Sequence, residues 1–292
     1  MMSCRLCSSK KIKERKVRNN LVVIRCHYCG VEFLKEFPGK AVLEKFYKTQ
    51  EYYRFWGKLN WRNIKQVEQV KKATAERVLD LIEQYGKKGK ILDVGCATGT
   101  LLMVAKMRGW EIYGVEVSGD FARITRERLG DNVYQGMFEE APFKAGSFDM
   151  VLFYDSLEHM TNPQKIVAKV FKILKPGGCL VVFTPNRESL SARIMGRNWT
   201  HYKTEHLFYF SPKSLKEFLN KEGFETVAQG GASKALNITY INSQFQTFPT
   251  PVLTPLFKLI VRYLPAPLVL KPFYLSTGEM FLVARKKRRK HN

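Results

Sequence analysis

Residues 91–99, Ile-Leu-Asp-Val-Gly-Cys-Ala-Thr-Gly, constrain the fold more than any other part of this 292-residue chain. An apolar run ends in Asp93 and breaks into a loop with glycines at positions 95 and 99, and residues 100–105 continue as a helical pattern. A strand, a glycine-rich turn and a helix in this order begin the nucleotide-binding unit of a doubly wound α/β fold. Glycine is needed in such a turn because the backbone approaches a ligand closely or takes a positive φ.

The spacing of this loop and its carboxylate argue against a dinucleotide. Dinucleotide-binding loops use G-x-G-x-x-G to clear a pyrophosphate, and Asp93 would repel a phosphate at this position. Asp93 could instead accept a hydrogen bond from an ammonium group. A second carboxylate, Glu116, lies near the end of the next strand pattern, 111–117, where it can take both hydroxyls of a ribose. The pattern therefore indicates a ligand with a ribose and a cationic group.

From about Ile91 to Lys286 the chain resembles the class I S-adenosylmethionine-dependent methyltransferases of the small-molecule type. The resemblance depends on the loop above, followed in order by residues 115–118, 135–143, 147–151, 157–159, 174–178 and 183–186. It implies an α/β fold with a doubly wound, mostly parallel seven-stranded sheet of order 3-2-1-4-5-7-6, whose last strand is antiparallel. It also implies S-adenosyl-L-methionine as the cofactor.

The resemblance places the cofactor at the carboxyl ends of the strands, where open α/β sheets bind ligands. Gly95 and Gly99 would let the backbone wrap the methionine part, Glu116 would hold the ribose, and the backbone of Phe138 would meet the adenine edge. Met137 stands where this family often has an acid, so we expect it to pack on the adenine ring. Asp93 either binds the cofactor or structures the loop. The predicted cofactor-binding residues are Asp93, Gly95, Cys96, Gly99, Glu116, Val117, Met137, Phe138 and Asp155.

Two histidines are the candidate catalytic residues. Methyl transfer from a sulfonium is an in-line displacement, so positioning supplies much of the rate, and a general base is needed only when the acceptor arrives protonated. His159 follows Leu157-Glu158 at the mouth of the fourth strand, and His206 precedes an aromatic run. A histidine pKa of about 6.5 suits a base, although either ring could instead brace its loop or pack. Asp155 is expected to orient the cofactor's amine or a substrate hydroxyl.

Four of the six cysteines form two C-x-x-C pairs, Cys4 with Cys7 and Cys26 with Cys29. In a chain without a visible secretory signal, this spacing predicts tetrahedral Zn2+ rather than disulfides. Four thiolates leave no open position, so the metal would be structural. Residues 1–38 are too few to bury a core of their own, so we expect the zinc to supply the fold of a zinc ribbon. A site without metal, or a redox pair, is the alternative.

The net charge of +23 is concentrated outside the predicted methyltransferase core. Residues 1–90 hold 22 lysines and arginines against 9 acids, and residues 285–290 add six more basic side chains. Residues 91–284 hold 21 basic against 17 acidic residues. Such basic regions could attract nucleic acid, anionic lipid or an anionic substrate, or could simply keep the surface solvated. With no signal peptide and no apolar run of about 20 residues, we expect a cytoplasmic protein.

These patterns predict four regions. They are a zinc-ribbon-like segment at 1–38, an aromatic linker and helical lid at 39–90, a methyltransferase domain at 91–287 with insertions at 187–210 and 232–277, and a basic tail at 288–292. In the lid, Tyr52 and Tyr53 are candidates for packing over the cofactor. In the second insertion, Lys258 and Arg262 share one face of an otherwise apolar helical pattern. Residues 249–272 could therefore contact a membrane peripherally, or pack as a cap on the core or on a second subunit.

The sequence thus predicts a methyltransferase that acts on a small-molecule or biosynthetic intermediate by O- or N-methylation. The alternative is an RNA- or ribosome-associated methyltransferase or binding protein that uses the basic zinc ribbon. Amino-group methylases of nucleic acid carry an Asn/Asp-Pro-Pro-aromatic signature after the fourth strand, where this chain has residues 153–156, Phe-Tyr-Asp-Ser. A third hypothesis, a binding protein with an inactive core, conflicts with the intact Asp93, Gly95, Gly99 and Glu116.

Overall fold

The protein is described by a computed structural model that covers residues 2–39, 42, 61–247 and 253–287, without the side chains of residues 61–67, 247 and 253. Tyr52, Tyr53 and the basic tail at 288–292, for which we made predictions, lie outside the described residues.

The strands of the described residues belong to two sheets. In chain order they are β1 (Ile12–Lys16), β2 (Val22–Cys26), β3 (Glu32–Leu34), β4 (Lys90–Val94), β5 (Glu111–Glu116), β6 (Val133–Gln135), β7 (Phe148–Tyr154), β8 (Leu174–Pro185), β9 (Phe208–Tyr209), β10 (Phe224–Leu236) and β11 (Phe273–Lys286). The α-helices are α1 (Trp61–Ile82), α2 (Thr100–Met107), α3 (Gly119–Leu129), α4 (Pro163–Ile173), α5 (Leu190–Met195), α6 (Pro212–Lys221), α7 (Ile238–Thr247), α8 (Leu253–Tyr263) and α9 (Ala266–Leu270).

The larger sheet has seven strands in the order β6-β5-β4-β7-β8-β11-β10. Numbered along the chain within this sheet, the order is 3-2-1-4-5-7-6, as the resemblance implies. The pairs from β6 to β8 are parallel, and β11 is antiparallel to both of its neighbours. The carboxyl ends of β4, β5 and β7 therefore meet at one edge, which is where the predicted site residues lie.

Local sequence explains where α4 and α6 begin. Asn162 caps α4 by accepting a hydrogen bond from the backbone N–H of Lys165, and Pro163 occupies the first turn. Ser211 caps α6 in a capping box with Ser214. None of the described helices is both long and apolar enough to cross a bilayer.

The core consists of two apolar clusters. One includes Ile91, Met150 and Leu152 of the central strands together with Leu79 and Ile82 of α1. The other includes alternate residues of the same strands, and it extends without a break into the N-terminal segment. Its members from that segment are Cys4, Val17, Val23, Ile24, Cys26, Cys29, Val31, Phe33 and Leu34. The ribbon therefore buries its apolar side chains against the main domain, so zinc is not the sole source of its fold.

The smaller sheet joins the ribbon to the first insertion. Its order is β1-β2-β3-β9, and β9 belongs to the insertion at 187–210. In the register of the last pair, Glu32 lies opposite Tyr209 and Phe33 opposite Phe208. The backbone of Leu34 also donates to the carbonyl of Leu207. The N-terminal 38 residues are thus built onto the segment that carries His206.

The last two strands extend into the predicted insertion at 232–277, because their antiparallel pairing continues past the sheet as far as Leu236 and Phe273. The segment between them therefore spans residues 237–272, which is shorter than the predicted insertion at 232–277. It contains α7, α8 and α9.

Candidate functional site

The loop after β4 is shaped by two glycines in left-handed conformations. Gly95 has φ +84° and Gly99 has φ +73°. A Cβ atom at position 99 would lie 2.5 Å from the Cγ2 atom of Thr125, and one at position 95 would lie 3.0 Å from the Cβ atom of Ser156. Both positions therefore require glycine for conformation and for space. The loop closes tightly on α3 and presents its backbone to the crevice.

Ala97, between these glycines, is also held at a positive φ, +46°. Its carbonyl accepts a hydrogen bond from the Thr125 hydroxyl at 2.7 Å, and its N–H donates to Oε2 of Glu116 at 2.8 Å. A strained backbone persists where its surroundings fix it, and such strain is concentrated at functional sites. These bonds tie the loop to the tip of β5.

Glu116 is 2% exposed, and its Oε1 accepts from the backbone N–H of Ser118 at 2.8 Å. Burial raises the pKa of Glu116, and the backbone donors at Ser118 and Ala97 oppose that rise. Each carboxylate oxygen has two lone pairs, so each keeps one acceptor position beside its backbone partner. This arrangement fits the two hydroxyls of a ribose.

Asp93 is 3% exposed, and its Oδ1 has no hydrogen-bond partner among the described residues. Burial, and then the nearby charge of Glu116, raise the pKa of Asp93 to about 7. A buried acceptor without a partner is costly unless a ligand satisfies it. The free oxygen fits a cationic donor, so the residues present suit the ammonium group of S-adenosylmethionine.

The other predicted cofactor residues lie around the same edge, with one correction. Phe138 is buried against Phe153, and Met137 and Val117 are half-buried. The Cys96 side chain points into the core, because a Cβ atom on Gly114 would lie 2.8 Å from its sulfur. Only the backbone of Cys96 can therefore contribute to a ligand site.

His159 and His206, which are 47 positions apart in sequence, lie together beside this loop. Their ring centroids are 4.8 Å apart, at an angle of 86°. Glu158 is 1% exposed, and its backbone carbonyl accepts from the N–H of Leu207 at 2.8 Å, which fixes the two segments to each other. Candidate ligand atoms of Glu158, His159 and His206 all lie within 4.8 Å of one another, a set that could hold a divalent cation.

The hydrogen bonds of His159 indicate its tautomer. Its Nδ1 lies 2.8 Å from the carbonyl oxygen of Glu205, which can only accept, so Nδ1 carries the proton and Nε2 is the unprotonated nitrogen of the neutral ring. Burial lowers the pKa of His159 to about 4 and that of His206 well below its ordinary value. Both rings are therefore neutral at pH 7, and they are weaker bases than the ordinary histidine assumed from sequence.

A partly buried ionic triad borders the histidines. Lys234 of β10 lies 2.7 Å from Oδ2 of Asp155 and 2.8 Å from Oε1 of Glu279 of β11. Burial opposes the charge on Lys234, but the two carboxylates hold its pKa well above the ordinary value. Asp155 has φ +52°, so the residue after β7 is strained as well as ion-paired. Its charge is matched by Lys234, which sequence reasoning did not anticipate.

The structure thus unites the predicted residues of β4, β5 and β7 with His206, and it adds Glu158, Lys234 and Glu279. Glu158 could have been found from the Leu-Glu-His run, since it is the residue before His159. No pattern in the sequence marks Lys234 or Glu279. They meet through the long pairing of β10 with β11, at a register shift between Ala232 and Lys234.

The four ribbon cysteines converge, as their spacing predicted. The sulfur atoms of Cys4 and Cys29 are 3.7 Å apart, and those of Cys7 and Cys26 are 3.6 Å apart. A tetrahedral zinc ion with thiolates at about 2.3 Å requires sulfur atoms about 3.8 Å apart. Backbone N–H groups of Leu6 and Cys29 approach the sulfurs of Cys4 and Cys26 at 3.5 Å. The donor set and its spacing fit zinc.

A buried carboxylate links the ribbon to the insertion. Glu32 is 1% exposed and accepts a hydrogen bond from the hydroxyl of Tyr202 at 2.9 Å. Its oxygens also pair with Arg15 at 3.3 Å and with Arg187 at 3.4 Å. Arg15 in turn donates to the Tyr202 hydroxyl. Arg15 of the basic region 1–90 and Arg187 of the insertion are therefore engaged within the protein.

Comparison with known families identifies the domain. The family described as "Methyltransferase domain" matches residues 66–229 of this chain, which is more than half of it. The matched region includes the glycine loop, Glu116 and both histidines.

Individual relatives agree with this match. An uncharacterized protein of Methanocaldococcus jannaschii is 27% identical over 154 residues, which cover 51% of this chain and 71% of the relative. A ubiquinone biosynthesis O-methyltransferase of Psychrobacter cryohalolentis is 33% identical over 143 residues, which cover 46% of this chain but only 54% of that enzyme. Among solved structures, a SAM-dependent methyltransferase of Thermotoga maritima matches 82% of this chain and all of its own, with a TM-score of 0.52 and 22% identity. That likeness shows the shared fold.

Proposed function

This chain belongs to the methyltransferase-domain family and is an S-adenosylmethionine-dependent methyltransferase, and from that premise we propose that it methylates a hydroxyl or amino group of a small molecule. The observation that carries the proposal is the pair His159 and His206 beside the cofactor loop, with Glu158, Asp155 and Lys234 around it. The partial relatives named for ubiquinone biosynthesis favour a hydroxyl as the acceptor.

The cofactor side is formed by the loop after β4 and the tip of β5. Bound S-adenosylmethionine supplies a methyl group on a positively charged sulfur. Glu116 would accept from the ribose hydroxyls, and the free Oδ1 of Asp93 would accept from the ammonium group. Gly95 and Gly99 keep side chains out of the path of the ligand. These residues bind and orient, which is the larger part of what an in-line displacement needs.

The acceptor side is formed by residues 155–159, 201–206 and the ion pair to Lys234. Nε2 of His159, which is unprotonated while Nδ1 donates to Glu205, would take the proton of an acceptor hydroxyl as the oxygen is methylated. General bases of this kind contribute about 10²–10⁴-fold. Lys234 holds Oδ2 of Asp155, and Oδ1 has no hydrogen-bond partner among the described residues, so Asp155 would position the acceptor through Oδ1.

Transfer of labelled methyl groups tests the acceptor class. The wild-type protein is incubated with labelled S-adenosylmethionine and separate panels of phenols, amines and total RNA. We expect label in a phenol or another small hydroxyl compound, and none in His159→Ala. Label that enters RNA with equal or greater efficiency would contradict the small-molecule assignment and favour the RNA-associated alternative.

We further propose that Cys4, Cys7, Cys26 and Cys29 bind one structural zinc ion. The proposal is supported by the sulfur spacing and by the backbone N–H groups of Leu6 and Cys29 that approach the sulfurs of Cys4 and Cys26. Elemental analysis of the purified protein should find one zinc per chain, and Cys4→Ser with Cys26→Ser should lose it. A fully folded native protein without zinc would contradict this assignment.

A further inference from the structure

The segment between β10 and β11, which we call the cap (residues 237–272), turns large apolar side chains outward. Among the described residues, eight of the fifteen exposed large hydrophobic side chains lie within positions 256–275, five in the cap and three at the start of β11. They are Leu256, Leu259, Tyr263, Leu264, Leu268, Phe273, Tyr274 and Leu275. Concentrated exposure of this kind marks an interaction surface, whereas scattered apolar residues do not.

Helix α8 is the clearest part of this surface, because its inner side is already packed. Phe257 contacts Phe245 of α7, with ring centroids 5.1 Å apart, and Val261 lines a cavity beside α7 and α9. The opposite side presents Leu256, Leu259 and Tyr263, which are 45%, 52% and 73% exposed. These three positions share one helix face. Packing of the cap on its own core explains the inner side of α8. The outer face, which we call the cap face, stays exposed, and the Arg262 guanidinium lies over its Tyr263 ring, 5.7 Å from the centroid.

The charge around the cap face is of one sign. The sequence from 235 to 278 contains no aspartate or glutamate, and its three charged residues are Lys258, Arg262 and Lys271. All three are exposed. Lys258 and Arg262 are one helical turn apart on α8, next to the cap face. An apolar face bordered by lysine and arginine is the arrangement of helices that lie on anionic membranes.

The length of α8 determines how the helix can lie relative to a bilayer. Eleven residues at about 1.5 Å each extend roughly 16 Å, about half the hydrocarbon thickness of a bilayer. Such a helix can lie in the plane of the interface, with its apolar face among the acyl chains and its basic side chains at the headgroups. It is too short to insert across the membrane.

We propose that the cap docks this protein on the surface of an anionic lipid bilayer through Leu256, Leu259 and Tyr263, with Lys258 and Arg262 at the headgroups. This surface lies outside the cofactor and acceptor sites, and the proposal goes beyond the methyltransferase activity. It requires no particular acceptor.

Cosedimentation with vesicles tests the proposal on the full-length protein. One set of vesicles is phosphatidylcholine alone, and the other contains about 30% phosphatidylglycerol to supply negative charge. We expect the wild-type protein to bind the anionic vesicles. Leu256→Gln with Leu259→Gln should reduce the bound fraction at least tenfold without changing the charge, and Lys258→Glu with Arg262→Glu should reduce it about tenfold.

A matched charge control is available on α6. Lys213 and Lys216 are exposed on that helix, and Lys213→Glu with Lys216→Glu removes the same charge as the cap variant. This control should bind vesicles like the wild type, and every variant should keep its S-adenosylmethionine affinity, which shows that it is folded. The proposal is overturned if wild-type protein stays in the supernatant, or if Leu256→Gln with Leu259→Gln binds as well as wild type. It is also overturned if that variant instead dissociates a dimer, since the occupant of the face would then be a second copy.

Discussion

The two halves of the crevice are built in different ways. The cofactor half comes from one stretch of chain between Asp93 and Glu116, and its geometry is fixed by glycine conformations and backbone hydrogen bonds. The acceptor half gathers Asp155, His159, His206, Lys234 and Glu279 from distant segments. It also depends on the ribbon, because β3 pairs with β9 directly after His206.

Substitutions that disrupt the ribbon should therefore impair the acceptor half of the crevice and leave the cofactor half intact. The ribbon contacts the acceptor segment through backbone pairing and through the Glu32 cluster. The cofactor loop is tied instead to β5 and α3. The ribbon therefore supports the segment that carries His206.

Loss of the ribbon metal should have the largest effect. Structural zinc contributes apparent free energies of about 10–16 kcal/mol in small zinc domains; here the shared core should reduce that figure. We expect Cys4→Ser with Cys26→Ser to lower the thermal midpoint by more than about 10 °C and to abolish methyl transfer. S-adenosylmethionine affinity of the protein that remains folded should change less than threefold. Equal loss of cofactor binding would show that the two halves are not independent.

Glu32 offers a sharper test of the same link. Glu32→Ala removes the buried carboxylate from Arg187, which keeps the partly exposed Glu188 at 3.1 Å. Breaking a buried ion pair costs about 3–5 kcal/mol, and the remaining pair with Glu188 places the expected loss at the lower end of that range. Denaturant unfolding should detect that loss, whereas Glu36→Ala, an exposed ribbon position, should change stability by less than about 0.5 kcal/mol. A small effect at Glu32 would mean that the ribbon contributes little to the insertion.

Within the acceptor half, His159→Ala should lower kcat by about 10²–10⁴-fold if its Nε2 takes the acceptor proton. S-adenosylmethionine affinity should be unchanged, because the ring lies outside the cofactor half. Added imidazole should restore part of the rate by replacing the missing base. If kcat is unaltered, the ring only braces the loop through its bond to Glu205.

The stability of the protein and its affinity for the cofactor should both depend on pH because of Asp93. Its pKa is raised from 3.8 to about 7 in the folded protein without ligand. The folded state therefore keeps a proton that the unfolded chain releases, so this group lowers stability progressively as pH rises from about 4 to 7. Cofactor affinity should change in the opposite direction, rising up to tenfold per pH unit below pH 7, since the ammonium group favours the ionised carboxylate.

Asp93→Asn removes this titration. Calorimetry at several pH values should give a flatter dependence of affinity on pH than in the wild type, and chemical unfolding should show a smaller fall in stability between pH 4 and 7. An unchanged pH profile of affinity in the variant would indicate that Asp93 only structures the loop.

The geometry of the loop after β4 and of the tip of β5 could be predicted from sequence because its determinants are local, whereas the cofactor contacts assigned to these residues stay predictions. The strand, the two glycines and the carboxylate at each strand tip lie within 26 residues, and their geometry follows from φ restrictions and strand direction. The exception is Cys96, whose side chain turned into the core because Gly114 leaves space for its sulfur.

The acceptor half could be predicted only in part. His159 and His206 were chosen for their chemistry, but burial lowers their pKa values, and burial depends on packing between distant segments. Lys234 and Glu279 meet through a register shift between two long strands, which no local pattern encodes. The pairing of β3 with β9 is likewise a long-range contact.

The most direct test of this account is a calorimetric titration of S-adenosylmethionine into wild-type protein, Glu116→Ala and His206→Ala. We predict binding to the wild type, at least a 100-fold weaker affinity in Glu116→Ala, and an affinity within about threefold of wild type in His206→Ala. Thermal melts of each variant check that it is folded. Unchanged affinity in Glu116→Ala, or its loss in His206→Ala, would contradict the division of the crevice into a cofactor half and an acceptor half.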